Sequence, residues 1–253
     1  MFRQYRALKE QVPDAILFFR MGDFYELFFD DARVAAELLD LTLTSRNRGA
    51  PDEIPMAGVP HHAARGYVRT LVDRGYKVAI ADQVEDPKAA RGLVRRAITQ
   101  VVTPGMVLDP EDLAPAEPCW LGALAVVGRR VGLALLDAST GAFRVAEVAD
   151  LSTAVEELGR AGAREVLLPE RLRDAPELAA LDAARTVPED LSWDPARCRE
   201  RLQERFRVAT LAGFGLADRP LAIRAAGAIV QYARETQQGT VANLRAIRVY
   251  TPG

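Results

Sequence analysis

Apolar positions recur at helical and strand spacing in turn along the first hundred residues. Arg3–Gln11 carries Tyr5 and Leu8 among charges, the pattern of a short surface helix, and Pro13-Asp14 punctuates it. Ala15–Phe19 is a continuous apolar run of strand length, ended by a Gly22-Asp23 turn signal. From Phe28 to Leu41 the spacing of Ala32, Ala35, Leu38 and Leu39 predicts a helix, with Asp30 and Asp31 near its start where acids suit the dipole. Thr42–Thr44 reads as a short strand and Ser45–Pro51 as a polar loop bearing arginines. Ala63–Arg74 is a helix closed by Gly75, and strands are expected at Lys77–Ala81 and Gln100–Val102. Strands alternating with helices make this an α/β domain.

The second half changes rhythm. Trp120–Val127, Val131–Asp137 and Ala142–Val148, separated by Gly128-Arg129-Arg130 and Gly141, predict an antiparallel meander. A helix follows at Leu151–Arg160 with Ser152 as its cap, then a strand at Glu165–Leu168 and amphipathic helices at Ala196–Phe206 and Leu221–Thr236. This element order is that of a ribonuclease-H-like fold. Such folds host two-metal nucleases, whose ions need clustered carboxylates. Here Leu121–Val127 has no acid and Asp137 stands alone on the second strand, so no catalysis is expected.

Composition refines the division. The chain has 253 residues, enough for two domains, and its 49% hydrophobic and 27% charged content is that of a folded globular protein. Asp109–Pro118 mixes prolines with acids and marks the linker, giving expected domains at 1–108 and 118–240, a linker at 109–117, and a further link over 241–253. Net charge is −2 overall, +1 over 1–108 and −3 over 109–253, so neither half grips nucleic acid by bulk positive charge. Of the 33 basic residues only Lys9, Lys77 and Lys88 are lysines, leaving arginines whose planar donors suit phosphates and base edges. Cys119 and Cys198 read as free thiols of a reducing cytosol, Met1–Arg6 has no secretory pattern, and no run is long enough for a membrane helix.

Chemical motifs are few. No lysine follows a glycine, so there is no phosphate-cradling P-loop. His61-His62 is an adjacent pair in a polar loop, not a metal cluster, and Ser, Cys and His are too sparse for a nucleophilic triad. What remains is Arg20-Met21-Gly22-Asp23-Phe24-Tyr25-Glu26. In an extended segment Phe24 and Glu26 point the same way. Two readings stand. Phe24 can be a staple into the core with Glu26 an acid in a helix's first turn, or the pair can meet an unstacked base, Phe24 as an apolar wedge and Glu26 on the base edge.

Phe19–Phe28 (FRMGDFYELF), Leu41–Ser45, Ile54–Pro60 (IPMAGVP), Val78–Gln83, Gly92–Arg96 and Val102–Gly105, with Leu136–Gly141, Gly213–Gly215 and Ala225–Gln237 in the second half, resemble the N-terminal part of the MutS family of DNA mismatch recognition proteins. The resemblance covers essentially the whole chain. It implies a mixed-sheet α/β mismatch-binding domain followed by a non-catalytic, ribonuclease-H-like connector. Phe24 is then the mismatch-stacking phenylalanine and Glu26 its hydrogen-bonding partner, while Met21, Ser45, Arg46, Pro55, Met56 and Arg96 match segments that line the DNA. It also implies double-stranded DNA carrying mispairs or small loops as ligand, and MutL as a protein partner of the connector. Arg199 and Arg201 on the Ala196–Phe206 helix are the first candidates for that contact.

The family's lever, clamp and ATPase domains have no counterpart here, so the chain is expected to be an excised, non-enzymatic and monomeric piece of a larger homo-oligomer. ATP and Mg are expected only in the part that is absent. A bacterial, cytoplasmic, nucleoid-associated location is implied. The alternatives are a degenerate nuclease relative and a purely protein-interacting fragment.

Overall fold

The computed structural model describes residues 1–47, 49, 51, 53–85, 92, 94–106, 118–237 and 244–252. The chain divides into two compact units, Met1–Thr103 and Pro104–Gly253. The expected linker, 109–117, lies outside the described residues.

Unit one holds helix α1 (Phe2–Lys9), strands β1 (Ala15–Met21) and β2 (Phe24–Phe28), helix α2 (Phe29–Leu39), strands β3 (Thr44–Arg46) and β4 (Ile54–Pro60), helix α3 (Ala64–Asp73), and strands β5 (Lys77–Gln83) and β6 (Arg96–Val102). The six strands form one mixed sheet in the order β3-β4-β2-β1-β5-β6, with β1 and β5 parallel and the other pairs antiparallel. Tyr5 and Leu8 of α1 pack with Leu17, Phe19 and Phe28, which alternation places on one face of the sheet. On the opposite face Ile16, Phe18, Leu27, Ala57 and Val59 are equally buried. That both faces are covered explains why β1 reads as an unbroken apolar run.

A buried carboxylate ties these layers together. Asp31, in the first turn of α2, accepts from Tyr5 Oη at 3.1 Å, Lys9 Nζ at 2.8 Å and the Leu17 amide at 3.0 Å. Burial, with the Asp31 carboxylate beside it, pushes the Tyr5 phenol far above its ordinary range. The chain enters α2 through Phe29 at φ +56°, a left-handed conformation that a bulky residue seldom adopts.

Some boundaries differ from the sequence reading. The short strand expected at Thr42–Thr44 lies at Thr44–Arg46, so Ser45 and Arg46 are strand and not loop. Cross-strand pairing to Met56, Pro55 and Ile54 decides this, and no local pattern reports such a partner. The IPMAGVP motif is itself a strand with prolines at its second and last positions, which weakens any local strand signal.

Unit two opens with β7 (Trp120–Val127), β8 (Arg130–Asp137) and β9 (Ala142–Val148), the expected meander. Helix α4 (Leu151–Ala161) leads to β10 (Ala163–Leu167), parallel to β7, and β11 (Ala184–Thr186) adds parallel to β10. Helices α5 (Pro195–Phe206) and α6 (Pro220–Thr236) follow, and β12 (Arg248–Val249) closes the order β11-β10-β7-β8-β9-β12. The three-strand meander, the parallel strands on its far side and the helices give the ribonuclease-H-like architecture its expected form. One core cluster joins α5 and α6 to Leu121, Ala134 and Val145, and a second joins Ala154 and Leu158 of α4 to Leu124, Leu133 and Val166.

Backbone detail corrects one cap. Asp150, not Ser152, caps α4, accepting from the Thr153 amide at 3.0 Å. Helix α6 starts against the sheet because Gly132 has no side chain: a Cβ there would lie 2.1 Å from the Leu221 backbone. Glu147 on β9 accepts from the Leu221 and Ala222 amides at 2.7 and 3.2 Å, satisfying donors that the helix start leaves open.

Candidate functional site

Strands β1 and β2 form a hairpin whose loop is Gly22-Asp23, since Met21 and Phe24 are direct partners. Gly22 has φ +61°, the sign required at the first loop position of a II′-type hairpin turn. Three bonds hold this loop. Arg20 Nε donates to the Gly22 carbonyl at 2.5 Å, Arg96 Nε donates to the Arg20 carbonyl at 2.6 Å, and the His61 amide donates to the Asp23 carbonyl at 2.8 Å.

At the end of that loop stands Phe24. Of the nine phenylalanines in the chain it alone is exposed, with 45% of its surface accessible. Its neighbour Tyr25 points the other way and is buried, its hydroxyl donating to Asp82 at 2.9 Å. The staple reading of Phe24 therefore fails: Tyr25 plugs the core and Phe24 faces out.

Glu26 lies two residues along on the same face and is half-buried, opposite Phe19 on β1 and Gly58 on β4. It is a strand residue, not a member of a helix's first turn. Its Oε2 is buried and has no hydrogen-bond partner among the described residues. Burial without a donor raises the carboxyl above the ordinary Glu range. An exposed apolar ring beside a carboxyl without a partner among the described residues can offer a base both a stacking surface and a hydrogen bond.

The other candidates divide by strand alternation. Met21 is the direct partner of Phe24, and Met56 faces Phe28, so both share the face of Phe24 and Glu26. Arg46 is exposed on that face, its guanidinium 5.6 Å from the Phe2 ring. Ser45 and Pro55 are partners on the opposite face, where they line a cavity of about 490 Å³ with Arg33, Leu43 and Glu53. Arg96 is placed differently from all of these. It is 8% exposed, lies 5.0 Å from the Phe19 ring centre, and donates to the Arg20 and Val94 carbonyls. That geometry supports the Gly22-Asp23 loop from beneath.

On α5, Arg199 is exposed, whereas Arg201 turns back to donate to the Ser192 and Leu191 carbonyls at 3.0 and 3.4 Å. Both oxygens of Asp137 are engaged by the turn that follows, with Ser139 Oγ at 2.7 Å and Thr140 Oγ1 at 2.8 Å. Among the described residues no group of three or more His, Cys, Asp or Glu is placed to hold a metal ion. No helix among them is long and apolar enough to cross a membrane.

Family models match both units separately: one described as MutS domain I over residues 1–111, the other as MutS domain II over 119–248. The chain belongs to the MutS family. It is 50% identical over 256 residues to the DNA mismatch repair protein MutS of Desulfatibacillum aliphaticivorans, covering 99% of this chain and 29% of that protein. It is 50% identical over 242 residues to the protein of that name in an Anaeromyxobacter strain, and 47% identical over 250 residues to that of Myxococcus xanthus. These matches cover 95% and 96% of this chain, and 27% and 28% of those proteins. The chain thus spans less than a third of the length of the curated MutS relatives it matches.

Two contributors to the site lie inside the quoted motifs but were given no role there. Arg20 clamps the loop, and Gly58 lies under the Glu26 carboxyl. The signal for Gly58 was available, since a lone glycine inside a strand pattern marks a close approach.

Proposed function

We propose that this chain is a DNA-mismatch recognition module joined to a connector, and that it reads a mispair or small loop by inserting Phe24 from the minor groove. The observation that carries this reading is the single exposed phenylalanine on a braced two-residue loop, beside a carboxyl with a buried oxygen that has no partner among the described residues. A mispaired step unstacks more cheaply than a matched one, so a wedge selects it by deformability without a strongly basic surface. Glu26 then bonds the edge of the displaced base. Met21 is the cross-strand partner of the wedge, Met56 and Arg46 lie further along the same face beside Phe28 and Phe2, Ser45 and Pro55 lie on the other face of the edge strand pair, and Arg96 acts through the loop it supports.

The connector is proposed to serve protein contact, with MutL as the family-implied partner and outward-facing Arg199 tested before Arg201, whose guanidinium is committed to the chain's own carbonyls. The module performs no chemistry itself: the phosphate cradle is absent from the sequence, and ATP and Mg belong to other domains of the family. We assign it as monomeric and as part of a cytoplasmic, nucleoid-associated repair protein.

Titration of this chain with a duplex holding one mispair, against the matched duplex, tests the reading, and tighter binding of the mispair is expected. Equal binding to both would overturn it. Charge reversal at Arg199 that leaves crosslinking to MutL unchanged would remove this residue from the contact.

A further inference from the structure

We propose that Gly58 is a specificity-determining residue: its missing side chain makes the seat in which the Glu26 carboxyl rests. This rests on the mismatch-recognition reading and goes one residue beyond it.

Strand pairing sets Glu26 directly opposite Gly58, so the two share a face of the sheet. A Cβ built on Gly58 would lie 2.6 Å from Glu26 Oε2, 3.1 Å from its Cδ and 3.2 Å from Oε1. All three nearest atoms belong to this one carboxyl, which therefore occupies the space that a side chain at position 58 would take, Oε2 foremost. No other side chain and no backbone atom crowds the position more closely. Gly58 is not in a left-handed conformation, so its backbone does not need glycine. The residue type is explained by the carboxyl above it and not by a turn.

The same geometry accounts for the state of Glu26. Resting against Gly58 removes Oε2 from solvent, and no described donor replaces the lost water. The carboxyl is thus held at a fixed place beside Phe24 in a poorly solvated setting. A methyl group at position 58 would drive it away by about 0.8 Å to regain ordinary contact, more than the roughly 0.5 Å tolerance of a working site. The fold would barely feel this, because the atoms that must move are the far end of a flexible side chain. Function and stability therefore separate at this position.

The test is Gly58→Ala in this chain, read three ways. Its melting temperature is expected to stay within roughly 4 °C of wild type, less than a core lesion would cause. The Glu26 carboxyl, followed by carbon-detected NMR titration without DNA, is expected to fall back toward the ordinary Glu range as it moves into solvent. The preference for a mispaired over a matched duplex is expected to drop about tenfold, within the range for losing one base-edge contact. In a Glu26→Gln background the same substitution should change that preference no further, since both act through one group. A Glu26 titration or a mismatch preference that does not move in Gly58→Ala overturns the proposal. Failure of the underlying reading looks different, because wild type would then show no mismatch preference or Phe24→Ala would leave it intact.

Discussion

Truncating Phe24 to alanine separates recognition from packing, because the structure predicts opposite sizes for the two effects. Full burial of a phenylalanine side chain is worth about 1.5–3 kcal/mol, and a core Phe→Ala change costs about 3–5 kcal/mol once the cavity is included. Phe24 is 45% exposed and its direct cross-strand partners, Met21 and Pro60, lie at the rim of the sheet. Its removal opens no closed cavity, so the stability loss should be about 1 kcal/mol. Phe28, fully buried four residues on, supplies the contrast and should lose about 3–5 kcal/mol as Phe28→Ala. In DNA binding the order reverses. Stacking of a base on an aromatic ring contributes about 1–3 kcal/mol. Losing it should lower mispair affinity by about 5- to 150-fold and leave matched-duplex affinity nearly unchanged. Urea denaturation and fluorescence anisotropy with both duplexes give the two numbers, and the anisotropy is repeated with this segment joined to the remaining domains of a MutS relative. A loss near 4 kcal/mol in Phe24→Ala with unchanged discrimination would refute the reasoning, since the ring would then be packing and the wedge would lie elsewhere.

How far the sequence disclosed this arrangement depends on the range of the forces involved. The meander was legible because Trp120–Val127 and Val131–Leu136 are near-continuous apolar runs of strand length and each turn carries its own glycine. Helices α5 and α6 were legible because their apolar stripes are long enough to show a period. Strand β3 was not, since three residues contain too little pattern and its position is set by pairing with β4. Cap identity at α4 was one step beyond local rules: Ser152 and Asp150 are both good capping types, and only the extended backbone at Asp150 decides between them. In the site, Phe24 and Glu26 were legible as a pair two residues apart, but their exposure was not. Both the staple and the wedge satisfy the same seven residues, and the tie breaks on which of Phe24 and Tyr25 faces the core. Arg96 shows the converse limit. Its segment was expected to line DNA, yet its guanidinium is spent on the chain's own carbonyls, one of them 76 positions away at Arg20.

Further expectations follow from the packing. Glu165 is fully buried and accepts from Thr186 Oγ1 and Tyr232 Oη at 2.6 Å each and from the Gly105 amide at 3.0 Å, so Glu165→Ala should cost the connector about 3–5 kcal/mol in denaturation. Gly132→Ala would press a methyl group into the backbone of α6 and should cost about 3 kcal/mol, whereas an unchanged melting curve would mean that α6 does not approach β8 so closely. Asp194→Ala removes the acceptor for the Arg197 amide at the start of α5 and should cost about 1 kcal/mol. The last expectation concerns Glu26, whose carboxyl is raised above its unfolded value by burial, so the folded state holds the proton more tightly than the unfolded chain does. Stability should therefore fall as pH rises from the unfolded Glu value through the folded one, and Glu26→Gln should melt higher than wild type at pH 8 but not at pH 4. The opposite order would mean that a donor pairs with the carboxylate and that burial is not what governs this group.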